Sequence, residues 1–122
     1  MLAAIALAAC GAWHGQVTGY YAGQVESSGQ IQAIETWIER TPRGLAGRYV
    51  LKEPGRDVPG TLEPLGDEGC ETALFRWSDL YGTGLLRLRF NLPQRCFEGA
   101  WGVTAINPAL IYTSCTRAPV TS

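Results

Sequence analysis

Residues Ala73 to Val103, ALFRWSDLYGTGLLRLRFNLPQRCFEGAWGV, constrain this chain most. Ala73, Phe75 and Trp77 alternate with Leu74, Arg76 and Ser78, and Ser78 to Gly82 then supplies turn-forming residues. Leu86, Leu88 and Phe90 alternate with Arg87 and Arg89 before a second turn at Asn91-Leu92-Pro93-Gln94. Phe97, Gly99, Trp101 and Val103 then share one face of a third segment. A period of two with bulky apolar groups on one side is the pattern of antiparallel strands with one buried face.

The same reading extends along the chain. Val17–Glu26 alternates, and Ser27-Ser28-Gly29 turns it. Gln30–Arg40 is ambiguous: Ile31, Ile34 and Ile38 have helical spacing, but β-branched and aromatic content with turns on both sides favours a strand. Leu45–Lys52 and Val58–Leu65 follow, the second made irregular at its ends by Pro59 and Pro64. Asn107-Pro108 turns the chain into Ala109–Thr116. Eight candidate strands result, and 122 residues allow one domain. The expected fold is all-β: a small antiparallel eight-strand up-and-down barrel or curved meander, with a β-sandwich as the fallback.

Four segments share an apolar-x-Gly-x-large pattern: Val17 to Tyr21, Leu45 to Tyr49, Val58 to Leu62 and Phe97 to Trp101. A glycine on the buried face lets a strand bend or a bulky neighbour lie across it. This pattern resembles strands of avidin-like and other small calycin barrels, which carry Thr-Gly-Thr-Trp-like segments. The resemblance is local. It implies a barrel and no particular ligand.

The N-terminus carries a second resemblance. Met1 to Ala9 is apolar, and Leu7-Ala8-Ala9-Cys10 resembles the bacterial lipobox, at which a lipoprotein precursor is cleaved before a cysteine that becomes lipidated. That implies residues 1–9 as a signal-peptide remnant and Cys10 as the attachment point. Residues 10–16 would form a tether, and residues 17–122 the barrel. A secretory signal usually has about 15–30 residues and a basic start; this run has neither, so either the true start lies upstream or this is an ordinary apolar N-terminus. The implied address is the bacterial cell envelope, with Gly11 after the cysteine favouring the outer membrane. No run approaches the roughly 18 apolar residues of a membrane-spanning helix, so acyl chains would be the only membrane attachment.

In an eight-strand meander the tether, the turns near Thr41, Asp67 and Pro93, and the C-terminus share one end. Here these form the proximal end. The turns near Ser28, Gly55, Tyr81 and Asn107 form the distal end, facing away from a membrane. Cys70, Cys96 and Cys115 all map to the proximal end. An oxidising compartment predicts one disulfide involving Cys96 and one leftover thiol. Cys70–Cys96 is the favoured pair, because the two flank one hairpin; Cys96–Cys115 is the alternative.

The remaining residues argue against most chemistries. A formal charge of −1 and no basic stripe give no case for nucleic acid. The cysteine spacing matches no zinc site, and nothing calls for a cofactor. The single histidine, His14, lies in the expected tether, remote from any catalytic partner. Asp67, Glu68 and Glu71 read as a solvated turn, and Arg76, Arg87 and Arg89 as a solvated sheet face. Trp77, Asp79, Tyr81 and Trp101 fall near the distal mouth and are the candidates for a ligand or partner site. Seven aromatics on the inward register (Tyr21, Tyr49, Phe75, Trp77, Phe90, Phe97 and Trp101) argue instead for a packed core with at most a shallow mouth. The expectation is a non-enzymatic lipoprotein that binds an envelope protein or cell-wall partner through its distal loops. Carriage of a small apolar ligand in the mouth is the alternative.

Overall fold

A computed structural model describes residues Trp13–Thr116. Its eight strands are β1 (Gly19–Ser27), β2 (Gln30–Thr41), β3 (Gly44–Glu53), β4 (Arg56–Asp67), β5 (Thr72–Asp79), β6 (Gly82–Asn91), β7 (Cys96–Gly102) and β8 (Asn107–Thr116). Each pairs antiparallel with the next, and β8 closes onto β1. The molecule is an up-and-down β-barrel, so it presents no free sheet edge.

Period-two burial explains why these segments are strands. In β2, Ile34, Thr36 and Ile38 are buried in alternation, while Ile31 is exposed. The helical spacing of its isoleucines is therefore incidental. In β5, Ala73, Phe75 and Trp77 face inward, as do Leu86, Leu88 and Phe90 in β6. The arginines face out: Arg87 pairs with Glu68 and Arg89 with Glu98. Such exposed pairs add little stability. The β1–β2 connection is two residues long, with Ser28 at φ 54° and Gly29 at φ 76°. Two consecutive positive φ values give the primed turn whose twist matches flanking strands.

The β7 expectation needs two corrections. Its register shifts between Ala100 and Trp101, so β7 ends at Gly102. Val103 leaves the inner face and is 65% exposed, and Trp101 is only half-buried.

The proximal end is plugged by residues expected to form a tether. Trp13 is 4% exposed, with its ring 5.7 Å from that of Phe90. A short 3-10 turn, His14–Gln16, follows and leads into buried Val17. The Tyr21 hydroxyl donates to the Val17 carbonyl at 2.6 Å. His14 Nε2 lies 2.8 Å from Asp67 Oδ2 at the end of β4. Over Trp13–Gln16 the expected tether is thus part of the barrel, because an indole beside an aromatic layer is worth more buried than hydrated.

The disulfide is Cys96–Cys115, not Cys70–Cys96. The two cysteines stand directly opposite each other on neighbouring strands β7 and β8. Cys70 lies between β4 and β5, and β5 is separated from β7 by β6. Two strand spacings come to about 10 Å, beyond the roughly 7 Å that a disulfide spans between Cα atoms. Cys70 is also disulfide-bonded, its partner lying outside the described residues, so the expected leftover thiol is not found among them. Cys10 and residues 1–12 generally lie outside the described residues as well. Alkylation of the unfolded, unreduced full-length chain should leave Cys96 and Cys115 unlabelled. The Cys115→Ser variant should lose about 3 kcal/mol of stability, the worth of a loop of this length. Labelling of Cys96 or Cys115 in the wild-type chain would contradict the β7–β8 register.

Candidate functional site

The inner surface divides into two halves. The proximal half is filled by a ring of aromatics: Tyr21, Phe90 and Phe97 contact one another at centroid distances of 4.9–6.2 Å, with Trp13 beneath. The distal half encloses a cavity of about 190 Å³ that opens at the mouth. It is lined by Val25, Ile34, Leu51 and Leu86 on its apolar flank, and by Tyr49, Trp77, Asp79, Tyr81, Trp101 and Tyr112. The expectation of a packed core therefore holds below. Above it the interior is hollow.

Two glycines create this arrangement. Tyr49 on β3 stands opposite Gly60 on β4. A Cβ at Gly60 would lie 2.1 Å from the Tyr49 ring, so only glycine lets the ring cross β4. The Tyr49 hydroxyl thereby reaches Asp79 at the end of β5 and donates to Oδ2 at 2.6 Å. Trp77 stands opposite Gly84 on β6 in the same way, and a Cβ there would lie 2.6 Å from the indole nitrogen. Trp77 crosses β6 and donates Nε1–H to the Gly102 carbonyl on β7 at 3.1 Å. Each aromatic side chain is thus fastened two strands away from its own. Trp101 packs edge-to-face on Trp77 at 5.5 Å and donates Nε1–H to the Glu26 carbonyl at 2.8 Å.

All four sequence candidates, Trp77, Asp79, Tyr81 and Trp101, border this one cavity. Asp79 also accepts the Tyr81 backbone N–H on Oδ1 at 2.8 Å, which holds the β5–β6 turn. The Tyr81 side chain leans over the rim, where its hydroxyl meets the Glu53 carboxylate and Arg56. The hydrogen bond from Tyr81, with Arg56 beside it, holds the Glu53 carboxyl below its usual range. Tyr49 and Tyr112 escaped the sequence reading as mouth residues. Tyr49 read only as core and Tyr112 only as part of the last strand, and the glycine crossing that turns Tyr49 toward Asp79 depends on register.

The inner hydroxyls are chemically quiet. Burial pushes the Tyr49 phenol far up, and its hydrogen bond to Asp79 pushes the same way. Burial likewise raises Tyr112, whose hydroxyl shares a hydrogen bond with Thr36 inside the barrel. Among the described residues no three His, Cys, Asp or Glu side chains converge on a metal-sized site. A larger hollow of about 1110 Å³ runs past Cys70 and Cys96. Its lining mixes outer side chains such as Glu35 and Lys52 with inner ones such as Phe90 and Phe97, so it is no single enclosed space. The fold and the mouth together define a small up-and-down barrel, closed below and hollow above. Set against protein-family models, curated proteins and solved structures, the chain matches none.

Burial of phenols sets an alkaline limit on the fold. The Tyr21 pKa is pushed up to about 12 from 10.0, chiefly by burial, and Tyr49 and Tyr112 are raised too. A phenol with a raised folded pKa holds its proton while the unfolded chain loses it. Its contribution is thus complete below pH 10 and is lost as pH climbs toward the folded value. Denaturant midpoints should be flat across neutral pH and fall above pH 10, and Tyr21→Phe should shallow that fall. A midpoint that rises with alkaline pH would contradict the buried placement.

Proposed function

We propose that the barrel holds one small, largely apolar molecule in its distal mouth. The observation that carries this is the 190 Å³ cavity ringed by Trp77, Trp101 and Tyr49, with one polar anchor at Asp79. Drug-sized sites run from about 300 to 1,000 Å³, so the occupant is a compact molecule of about one ring. Eight-stranded barrels are just wide enough for such an occupant once side chains leave part of the interior open. The aromatics also make the site self-reporting, because Trp77 and Trp101 line it.

Contact with a protein or cell-wall partner through the distal loops is the second reading. It draws on Leu80, Tyr81 and Val103, three large apolar side chains exposed on turns at the same end. Exposed apolar groups gathered on one rim mark contact surfaces.

Trp101→Ala separates a lined cavity from a packed core. Trp101 is half-buried and spends one hydrogen bond, so its truncation should cost about 1–2 kcal/mol and weaken binding of a small apolar dye. Phe75→Ala, fully buried in the wall, should cost about 3–5 kcal/mol. Equal large losses in the two variants, with no dye quenching in the wild-type chain, would restore the solid core and leave the partner reading first.

Membrane attachment through Cys10 is a proposal that rests on the lipobox resemblance alone. One sulfur carries either a thioether to lipid or a disulfide, so lipidation and a bond to Cys70 exclude each other. On the anchor proposal the full-length chain partitions into detergent and Cys10→Ser does not. Equal partitioning would remove the anchor.

A further inference from the structure

Resting on the ligand-carriage reading, we infer that the mouth selects an organic cation: a primary or quaternary amine on a small apolar body. Asp79 is the only side chain lining the cavity that carries a formal charge at neutral pH, the others being aliphatic, aromatic or hydroxyl-bearing. Its oxygens accept from the Tyr49 hydroxyl and the Tyr81 N–H, both neutral donors, and it forms no ion pair among the described residues. Asp79 is half-buried, and an occupant that covers it strips its remaining water and leaves it only neutral donors, which is costly for a carboxylate. A cationic occupant offsets that cost, whereas an anion adds to it.

The walls favour the same charge. Trp77 and Trp101 meet edge-to-face at 5.5 Å, and Tyr49, Tyr81 and Tyr112 complete the aromatic lining of the cavity that Asp79 borders. Ring faces carry negative quadrupole charge and attract ammonium groups, most strongly when several surround one site. Arg56 is the cation that meets the rim residue Tyr81. It is engaged by Glu53 at 3.1 Å and by the Tyr81 hydroxyl at 2.9 Å, so the pair adds no net charge and leaves Asp79 uncompensated. The Tyr49 hydroxyl, held in place over Gly60, ties down the Asp79 carboxylate where it borders the cavity.

Three probes of one size and different charge test this on the full chain: benzylammonium, benzyl alcohol and benzoate, each followed by tryptophan quenching. Benzylammonium should bind at least about tenfold more tightly than benzyl alcohol, and benzoate more weakly than either. Asp79→Asn keeps the shape, with its oxygen accepting from the Tyr81 N–H and its NH2 able to donate to the Tyr49 hydroxyl; it removes the charge and should cut the benzylammonium preference about tenfold or more. Added salt should erode the same preference in the wild-type chain. Equal binding of the cation and the alcohol to the wild-type chain, which needs no variant to fold, would overturn cation selection and leave ligand carriage standing. A preference that survives in a folded Asp79→Asn chain would overturn it equally. Failure of all three probes to bind would remove both readings together.

Discussion

The crossing of Tyr49 over Gly60 is the contact on which the distal half depends. A barrel of this width would ordinarily fill its interior with side chains that point straight in from each strand. Here Tyr49 instead lies flat over the strand beside it, because the position opposite has no side chain to hold it off. Trp77 does the same over Gly84. Two of the largest side chains are thereby laid along the wall, and space remains in the middle. Their polar ends are satisfied two strands away, at Asp79 and at the Gly102 carbonyl. Buried hydroxyl and indole groups need such partners, so the wall positions are fixed rather than merely allowed.

The proximal half shows the opposite arrangement. Tyr21, Phe90, Phe97 and Trp13 point into the axis and close it. The Cys96–Cys115 bond and the His14–Asp67 contact tie the same end together. A rigid floor beneath an open mouth is what lets a shallow cavity persist, since close-packed interiors collapse around voids wherever they can relax. Stability and opening are thus separated along the barrel axis.

Much of this was legible in the chain. Alternation such as Ala73-Phe75-Trp77 and Leu86-Leu88-Phe90 named the strands, and the turns between them implied the order that the closed barrel adopts. The apolar-x-Gly-x-large segments marked Gly60 as a place of close approach. What the sequence could not carry was registration between strands. Cys96 faces Cys115 because β7 and β8 pair in one register, and no local pattern states that register. Trp101 is half-buried because it lines the open mouth against Trp77 rather than the filled half. Trp13 looked like tether because its partners, Phe90 above all, lie far along the chain. Asp79 was marked as a candidate by position, but its bond to Tyr49 follows only from Gly60 facing Tyr49.

A hollow distal half above a filled proximal half is the central claim, and xenon tests it without any assumption about the ligand. Xenon enters apolar cavities of adequate size and leaves packed interiors empty. A crystal of the full chain under xenon pressure should show bound gas between Trp77, Trp101, Leu86 and Val25, and none among Tyr21, Phe90 and Phe97. Xenon absent from the mouth, or present among the proximal aromatics, would contradict the account.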